Sequence, residues 1–489
     1  MNLGRMLEES CRQYPDHVAV IYENLKLTYA ELNQDVNALG NHLKSLGIQK
    51  GDKVALMLPN CPEFVISYFA ILKIGAVVVT LNAMSTAYEL HYLLGNSDAK
   101  ALITTLSLEK RFEEIKADLP LCRHLIATGG LQNNSPFREA MTKNSADLDI
   151  PVIGEEDPAV MIYTSGLTGK PLGAVLTHHN LLSQSTLLKS EIDGTDKDRC
   201  LAVIPFFHSF GACANMVNPL RIGASMVLMD RFTLDSIFST IEKEKVTYVA
   251  AVPRLFLGMI FHDKADSYNI RSLRFCITGG STMAPEFIPL FKEKFGVLLV
   301  EGYGLTEASP ICTVGRLDMP LKPGSIGIPI PGLQARVVDD VGCELPRGEV
   351  GELILKGENV MKGYYKDEVM TAQVIQDGWL YTGDLARIDG NGYIFLTGRK
   401  KRMVITSGFN VYPREVEIVL EMHPAVKHAL VVSKPDLMRG EIVKAFIVSK
   451  PGMSADMSAD EKAIMKHCRT YLSSYKIPRE IEFVEKLEE

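Results

Sequence analysis

The chain has 489 residues, of which 46% are hydrophobic and 23% are charged. This is the composition of an ordinary globular protein, and it excludes an intrinsically disordered chain. The length exceeds what one hydrophobic core usually supports, so we expect at least two domains. The formal net charge of −7 argues against a nucleic-acid partner bound through a basic surface.

Nine cysteines are dispersed along the chain without a Cys-x-x-Cys pair. This pattern favours unpaired thiols in a reducing cytoplasm over a disulfide framework, a zinc knuckle or a redox motif. Charges interrupt the first ten residues, unlike the start of a signal peptide. The most apolar stretch, residues 201–220, contains Pro205 and His208, so we predict no transmembrane segment. Peripheral contact with a membrane and a homodimer both stay open.

The first hundred residues alternate strand and helix patterns. Residues 54–58 are apolar and predict a buried strand, and Pro62 is typical of the helix start that follows. Gly75 is expected to end this helix before a second strand at residues 76–79. The same pattern recurs at residues 101–103, 225–229 and 246–252. Such alternation predicts mostly parallel sheets covered by helices.

Residues 163–173 combine glycine with serine and threonine after an apolar lead-in. Glycine lets the backbone approach a ligand closely, and successive amides and hydroxyls can then surround phosphate oxygens. The run differs from the GxxxxGK[ST] loop because Lys170 precedes a proline. By composition alone it would more often be a flexible loop. The residues of the predicted phosphate loop are Thr164, Ser165, Gly166, Thr168, Gly169 and Lys170.

A second candidate segment spans residues 301–307, where glycines flank Tyr303. These glycines would let the aromatic face lie against a purine. Thr306 offers a hydroxyl to a phosphate, and Glu307 offers a hard oxygen ligand for Mg²⁺. Another close-approach loop lies upstream at residues 279–281. Its presence favours a binding site here over a plain turn.

The last third of the chain has a different pattern of predicted secondary structure. After Pro323, short strands separated by glycine and proline predict a small β-rich subdomain. Asp384 follows a glycine turn, where its carboxylate can accept both hydroxyls of a ribose. The basic cluster at residues 399–402, the loop at 406–413 and an amphipathic helix from Pro413 predict the start of a new α+β unit.

These motifs resemble, in type and order, those of the acyl-adenylate-forming superfamily, which includes acyl-CoA synthetases, luciferases and peptide-synthetase adenylation domains. The resemblance runs from about residue 28 to residue 484. On this basis the chain is identified as a member of the superfamily. The resemblance implies an AMP-forming acid–thiol ligase of the cytoplasm that uses ATP, Mg²⁺ and CoA.

The resemblance also implies an α/β fold and a division into two domains. A large N-terminal domain, residues 1–400, would contain two α/β sheet subdomains and the β-rich subdomain, and would carry the acyl and ATP sites. A small, mobile α+β C-terminal domain, residues 401–489, would follow it. This domain would rotate about Lys401 between two half-reactions.

Individual residues take roles from the resemblance. Thr306 and Glu307 would act in catalysis, with Glu307 as the magnesium ligand. Asp384 would bind the ribose, and Arg399 would contact ribose and phosphate. The further residues implied are Gly280, Ser281, Glu301, Gly302 and Tyr303 at the nucleotide, Lys401 at the hinge, and Ser407 and Gly408 in the tunnel that admits the pantetheine arm of CoA.

Residues 205–211 resemble the aromatic-histidine segment that gates the acyl pocket of fatty acyl-CoA synthetases, with His208 as the gate. Amino-acid-activating members of the superfamily have an aspartate near this position that pairs with the ammonium of the substrate. This sequence has no such aspartate near His208. We therefore expect a medium- to long-chain fatty acid, with Val252, Met216 and Leu305 near its tail. The alternatives are a ligase for an aryl or cyclic carboxylate and a non-enzymatic acyl-adenylate or nucleotide-binding protein.

Two lysines of the family pattern are missing. Leu172 stands where the phosphate loop normally has lysine, and Lys170 compensates only in part. A Gly-Lys segment would follow residues 483–484, but the sequence stops at Glu489 before it, as in a truncated protein. We therefore expect slow adenylation, with conversion of a preformed acyl adenylate to acyl-CoA retained.

Overall fold

Helices and strands alternate through the first half of the chain, as the sequence predicts. The computed structural model describes residues 1–131, 134–165, 169–400, 402–450 and 461–487. The helices are α1 Leu3–Gln13, α2 Tyr29–Ser45, α3 Pro62–Lys73, α4 Ala87–Ser97, α5 Glu109–Glu113, α6 Pro136–Thr142, α7 His178–Leu182, α8 Leu187–Ser190, α9 Ser209–Ala212, α10 Asn218–Ile222, α11 Leu234–Glu244, α12 Pro253–Ile260, α13 Phe287–Phe295, α14 Glu368–Val374, α15 Pro413–Glu421 and α16 Glu461–Tyr471.

The strands agree with most of the predicted positions to within two residues. They are β1 Val18–Tyr22, β2 Leu25–Thr28, β3 Lys53–Met57, β4 Val77–Thr80, β5 Ala99–Thr105, β6 His124–Thr128, β7 Pro158–Ser165, β8 Pro171–Thr177, β9 Arg199–Ala202, β10 Ser225–Leu228, β11 Tyr248–Ala251, β12 Phe275–Thr278, β13 Leu298–Gly304, β14 Ile311–Val314, β15 Ile328–Pro329, β16 Gln334–Val338, β17 Gly351–Lys356, β18 Gly363–Tyr364, β19 Ile375–Gln376, β20 Trp379–Ile388, β21 Ile394–Arg399, β22 Val404–Thr406, β23 Phe409–Val411, β24 Val426–Asp436, β25 Gly440–Ser449 and β26 Glu480–Phe483.

Nine strands of the described chain form the largest sheet, in the order β15-β14-β13-β12-β11-β9-β10-β1-β2. Its centre is parallel, and β2, β14 and β15 add antiparallel edges. Helices α11, α12 and α13 cover one face, where Phe238, Phe256 and Phe291 are buried. Thr278 of β12 pairs with Glu301 of β13. The segments that follow these two strands therefore lie side by side.

A second sheet has seven strands within the described residues, in the order β18-β8-β7-β4-β3-β5-β6. Helix α3 begins at Pro62, as predicted, and is buried along its whole length. Strands β7 and β8 run antiparallel and pair Thr164 with Leu172. Thr164 and Ser165, the first residues of the predicted phosphate loop, therefore lie at the end of a strand that is hydrogen-bonded to β8.

Two smaller sheets follow in the described part of the chain. Strands β16, β17, β19, β20 and β21 form an antiparallel sheet, which confirms the β-rich texture predicted after Pro323. Strands β22 to β26 form the C-terminal sheet, on which α15 and α16 pack around Val416 and Ile464. The observed mixed α/β architecture confirms the predicted fold class. The domain division at residue 400 stays a prediction.

Two negative predictions can be compared with the structure. The nine cysteines all lie in described segments and are unpaired, and Cys343 is the exposed one among them. Among the described residues, no helix has both the length and the apolar character that a membrane crossing requires.

Candidate active site

A cavity of about 230 Å³ lies where the sheets of the described chain meet. Thr164 and Leu172 reach it from β7 and β8, and residues 277–282 and 301–307 form another wall. Strand β20 contributes residues 380–384, and the turn between β22 and β23 contributes Gly408. Each of the four sheets therefore supplies part of one site.

Most of the residues predicted for the nucleotide and acyl sites line this cavity. They are Thr164, His208, Gly280, Ser281, Glu301, Gly302, Tyr303, Thr306, Glu307, Asp384, Arg399 and Gly408. Three predicted residues lie elsewhere in the described chain, namely Gly169, Lys170 and Ser407. Outside the described residues lie Gly166, Thr168 and Lys401 and the side chain of Ser165. The structure brings the first group together, and the role of each residue stays a prediction.

Asp384 is held between an aromatic and a cationic side chain. Tyr303 donates its hydroxyl to Asp384 Oδ2 at 2.6 Å, and Arg399 Nε donates to Oδ1 at 3.2 Å. Burial raises the pKa of Asp384, although both of these neighbours lower it. The carboxylate is thus oriented at the cavity wall by two donors. This geometry suits an acceptor for sugar hydroxyls.

Glu307 lies in the 3₁₀ turn Thr306–Ala308, directly after β13. Its Oε1 accepts hydrogen bonds from the Tyr364 hydroxyl at 2.8 Å and from Thr164 Oγ1 at 3.3 Å. Tyr364 is a cavity residue that the sequence did not indicate. Carboxylate and hydroxyl oxygens are the hard donors that Mg²⁺ prefers. Glu307 and Thr164 therefore fit a magnesium ion near the predicted phosphate loop.

Two further polar residues of the cavity are held by specific contacts. Glu301 Oε2 accepts the Gly324 amide at 3.1 Å, and burial raises the pKa of Glu301 to about 7. The hydroxyls of Ser209 and Thr306 lie 3.2 Å apart. The second contact links Thr306 to Ser209, the first residue of α9.

His208 forms the N-cap of α9, a role that its sequence pattern did not suggest. Its Nδ1 accepts the backbone amide of Phe210 at 3.2 Å. Burial lowers the pKa of His208 to about 4, so the ring is neutral near pH 7. The ring lines the cavity. Its predicted gating role stays a prediction.

One part of the cavity wall is apolar. Its residues include Leu187, Leu188, Ile192, Ala214, Ile277, Val314 and Ile326. Leu305 lines the cavity as expected, whereas Val252 and Met216 are not among the described lining residues. Met216 is instead fully buried in the π-helical turn Cys213–Val217. The cavity therefore has an apolar wall. Much of this wall comes from α8 and neighbouring strands, and not from Val252 and Met216.

Two glycines bring the C-terminal sheet against the cavity. Gly280 and Gly408 have φ angles of +81° and +84°. A Cβ on Gly408 would lie 2.5 Å from Cγ1 of Val252, and one on Gly280 would lie 3.9 Å from the Cα of Gly408. Glycine is therefore required at position 408. The next residue, Phe409, stacks on Phe207 with ring centroids 6.3 Å apart, so the predicted CoA loop borders the cavity.

Three arginines beside this loop were missed by the sequence analysis. Arg254, in the first turn of α12, donates to Ser407 Oγ at 3.3 Å. The Ser407 amide donates to the carbonyl oxygen of Arg439 at 2.8 Å. Burial and the charges of Arg479 and Arg254 lower the pKa of Arg439. In the described chain none of the three forms a salt bridge with a carboxylate. Because they are far apart in the sequence, no local pattern indicated that they lie together.

Family models match most of the chain. The model described as AMP-binding enzyme matches residues 7–365. The model described as AMP-binding enzyme C-terminal domain matches residues 415–489. The first match includes the cavity residues of the nine-stranded and seven-stranded sheets, whereas those of the β-rich and C-terminal sheets, such as Asp384 and Gly408, lie between the two matched regions.

Curated relatives are similar over nearly the whole chain. A long-chain-fatty-acid–CoA ligase of Bacillus subtilis strain 168 is 35% identical over 517 residues, covering 99% of this chain and 91% of the relative. A feruloyl-CoA synthase of an Amycolatopsis species is 35% identical over 486 residues, covering 99% of this chain and 95% of the relative.

Solved structures have the same fold. The amide bond synthetase McbA from Marinactinospora thermotolerans has a TM-score of 0.91 at 28% identity, covering 100% of this chain and 96% of that one. The o-succinylbenzoate CoA synthetase MenE from Bacillus subtilis, a double mutant bound with its product analogue OSB-NCoA, has a TM-score of 0.88 at 27% identity, covering 99% and 95%. The chain belongs to the AMP-binding enzyme family.

Proposed function

We propose that this chain, an AMP-forming acid–thiol ligase and acyl-CoA synthetase, activates medium- to long-chain fatty acids. ATP and CoA are its other substrates. The observation that carries the choice of acid is the apolar wall, with Leu187, Leu188 and Ile192, in the same cavity as Thr306 and Asp384. An alkyl chain can be buried there while its carboxylate stays among polar residues. The long-chain-fatty-acid–CoA ligases among the relatives support this class.

In the first half-reaction the fatty carboxylate attacks the α-phosphorus of ATP, and pyrophosphate leaves as acyl-AMP forms. Tyr303 lies against the adenine, Asp384 and Arg399 bind the ribose, and Thr306 contacts the α-phosphate. Such a transfer depends mainly on positioning and on the neutralisation of developing charge. His208 is neutral, so its ring adds no charge beside the fatty carboxylate.

Glu307 and Thr164 would hold Mg²⁺ together with the ATP phosphates. The ion, when bound, supplies positive charge that screens these phosphates. Thr164 and the backbone of the phosphate loop orient the β- and γ-phosphates. The hydrogen bond from Tyr364 to Glu307 fixes the carboxylate on the cavity wall.

In the second half-reaction the C-terminal domain rotates, and the CoA thiol attacks the carbonyl carbon of acyl-AMP and expels AMP. Glycine at position 408 lets the C-terminal sheet approach Gly280 and Val252 closely, and the pantetheine arm enters beside this contact. Arg254, Arg439 and Arg479 then bind phosphate groups of CoA. Arginine is suited to this role because its guanidinium donates in pairs to phosphate oxygens.

We further propose that adenylation is slow because Leu172 removes a cation from the phosphate loop. Leu172 lines the cavity and pairs with Thr164 across β7 and β8. A lysine there would point its ammonium toward the phosphates that Thr164 contacts. Loss of one such charge contact typically slows a reaction by about 10²–10³.

A ligase for an aromatic carboxylate is the second candidate. It is favoured by the feruloyl-CoA synthase, which is as similar to this chain as the fatty-acid ligase, and by Tyr248 on the cavity wall. An aromatic ring can stack on Tyr248.

A substrate panel separates these candidates. The protein is mixed with ATP, Mg²⁺, CoA and either fatty acids of increasing length or ferulate, and the CoA thioesters are quantified. A kcat/KM highest for a medium- or long-chain fatty acid supports the proposal. A preference for ferulate supports the aryl ligase. Binding of AMP without turnover of preformed acyl-AMP and CoA would contradict both and indicate a binding protein.

A further inference from the structure

A buried ion network joins the C-terminal part of the chain to α4, and its residues are not among the described residues that line the cavity. Lys476 Nζ lies 2.8 Å from Glu89 Oε1 and 2.5 Å from Glu415 Oε1. Ser473 donates its hydroxyl to Glu89 Oε2 at 2.6 Å and its amide to Oε1 at 3.3 Å. Glu89 belongs to the N-terminal part of the chain, and the other three belong to the C-terminal part.

The network is almost completely shielded from solvent. The side chains of Glu89, Lys476 and Glu415 are at most 10% exposed. Burial opposes the ionisation of Glu89, yet Lys476 and Ser473 hold the pKa of Glu89 below its usual value. Burial raises the pKa of Glu415. Removal of one charge from such a buried pair costs far more than removal from a surface pair, because the other charge stays buried and unpaired.

Neighbouring contacts belong to the same interface. Thr86 Oγ1 donates to the Tyr471 carbonyl oxygen at 3.1 Å, and the rings of Tyr88 and Tyr471 meet edge to face at 5.2 Å. Ser474 Oγ lies 3.7 Å from Met84 Sδ. The start of α4 and the residues just before it therefore form a docking surface for residues 471–476.

The network cannot act on the reacting groups directly. Glu89, Ser473 and Lys476 are not among the described residues that line the cavity. They hold the C-terminal sheet on the N-terminal part of the chain. The same sheet carries Gly408, which borders the cavity in this docked arrangement.

We propose that Glu89 and Lys476 are positioning residues that dock the C-terminal sheet for the thioester-forming half-reaction. This inference rests on the proposed function, in which that sheet rotates between the two half-reactions. Rotation separates Glu89 from Lys476, whereas Lys476 and Glu415 move together. Loss of the Glu89 charge therefore weakens docking and leaves the C-terminal sheet itself intact.

Glu89→Gln tests the proposal, because glutamine preserves the capping box that Glu89 makes with Thr86. We expect acyl-CoA formation from preformed acyl-AMP and CoA to slow by at least about tenfold. ATP–pyrophosphate exchange should be unchanged or faster. Glu31→Gln is the matched control, since the exposed Glu31 makes the same capping box with Thr28 at the start of α2.

Cross-linking measures docking without any catalytic step. Met84→Cys and Ser474→Cys place thiols at two exposed positions of the interface, in a Cys343→Ser background that lacks the exposed native thiol. A short bis-thiol reagent should join them several-fold more slowly when Glu89→Gln is added. The proposal is overturned if cross-linking and thioester formation are unchanged, or if both half-reactions fall in parallel. If the parent protein makes no acyl-CoA, the proposed function fails, and the cross-linking rates alone then decide whether Glu89 controls docking.

Discussion

The Tyr303 hydroxyl, at the end of β13, donates to Asp384 Oδ2 on β20 at 2.6 Å and so joins the nine-stranded sheet to the β-rich sheet. Arg399 donates to the other oxygen of the same carboxylate. A ribose that donates its hydroxyls to Asp384 uses the acceptor that Tyr303 already orients. In the proposed function, nucleotide binding and the alignment of these two sheets are therefore linked through Asp384.

Asp384→Asn should weaken nucleotide binding. The amide keeps the shape but has one acceptor oxygen and no charge, and a hydrogen bond to a charged group is worth about 1.5–3 kcal/mol. The Kd for AMP, measured by isothermal titration calorimetry, should rise by about 10- to 100-fold. Asp340→Asn, at an exposed carboxylate of the same subdomain, is the control. Equal affinity in both variants would remove Asp384 from the ribose site.

Leu172→Lys should accelerate adenylation. The new ammonium lies at the cavity wall opposite Thr164 and adds a cation near the phosphates. ATP–pyrophosphate exchange should rise by about tenfold or more, because one electrostatic contact can contribute that much to a transition state. The exposed Lys170 does not line the cavity, so Lys170→Ala should change the rate little. A Leu172→Lys variant no faster than its parent would contradict the explanation of slow adenylation.

Arg439→Ala should raise the KM for CoA and leave pyrophosphate exchange unchanged. Arg439 lies with Arg254 and Arg479 beside the loop that carries Gly408. Burial and the two neighbouring positive charges lower the pKa of Arg439, although the Asp436 carboxylate opposes this shift. Loss of one phosphate contact should raise the KM by about tenfold, as measured by initial rates at varied CoA. Arg231→Ala, at a side chain 97% exposed, is the control. A change in pyrophosphate exchange instead would place Arg439 in the first half-reaction.

His208 should make the protein less stable in acid. Its pKa is lowered from about 6.5 in the unfolded chain to about 4 in the fold, so the unfolded chain takes up a proton first as the pH falls. Its contribution to stability is therefore complete above about pH 6.5 and is lost as the pH falls towards about 4.

His208→Asn isolates this effect, because asparagine is also a good N-cap but does not titrate. Urea unfolding at about pH 7 and about pH 5 should show a smaller loss of stability in the variant than in the parent. His428→Asn, at an exposed histidine, is the control. An identical acid loss in the parent and the His208→Asn variant would show that His208 is not the group responsible.

The sequence predicted the architecture, and it selected polar residues that the structure places at one cavity, because both depend on local patterns. Gly280, Tyr303 and Asp384 each lie in a short glycine-containing segment whose chemistry can be recognised without knowledge of the fold. The alternation of apolar strands with helices likewise predicted parallel sheets before any contact was known. In the structure Gly280, Tyr303 and Asp384 line one cavity.

The remaining features depend on contacts between distant segments. Nothing in the local sequence of Glu89 or Lys476 indicates that they meet, since each is an ordinary charged residue until the sheets pack. The apolar wall is a similar case: Leu187 belongs to a four-residue helix with too short a pattern to predict, and Met216 was expected near the acyl tail but is buried elsewhere.

The most direct test follows both half-reactions in one sample by mass spectrometry. The protein is incubated with a long-chain fatty acid, ATP and Mg²⁺, and acyl-AMP is quantified. CoA is then added to the same sample. The account predicts slow appearance of acyl-AMP and pyrophosphate, followed by rapid conversion to acyl-CoA and AMP. Acyl-AMP that persists after CoA is added, or ATP consumed to ADP, would contradict it.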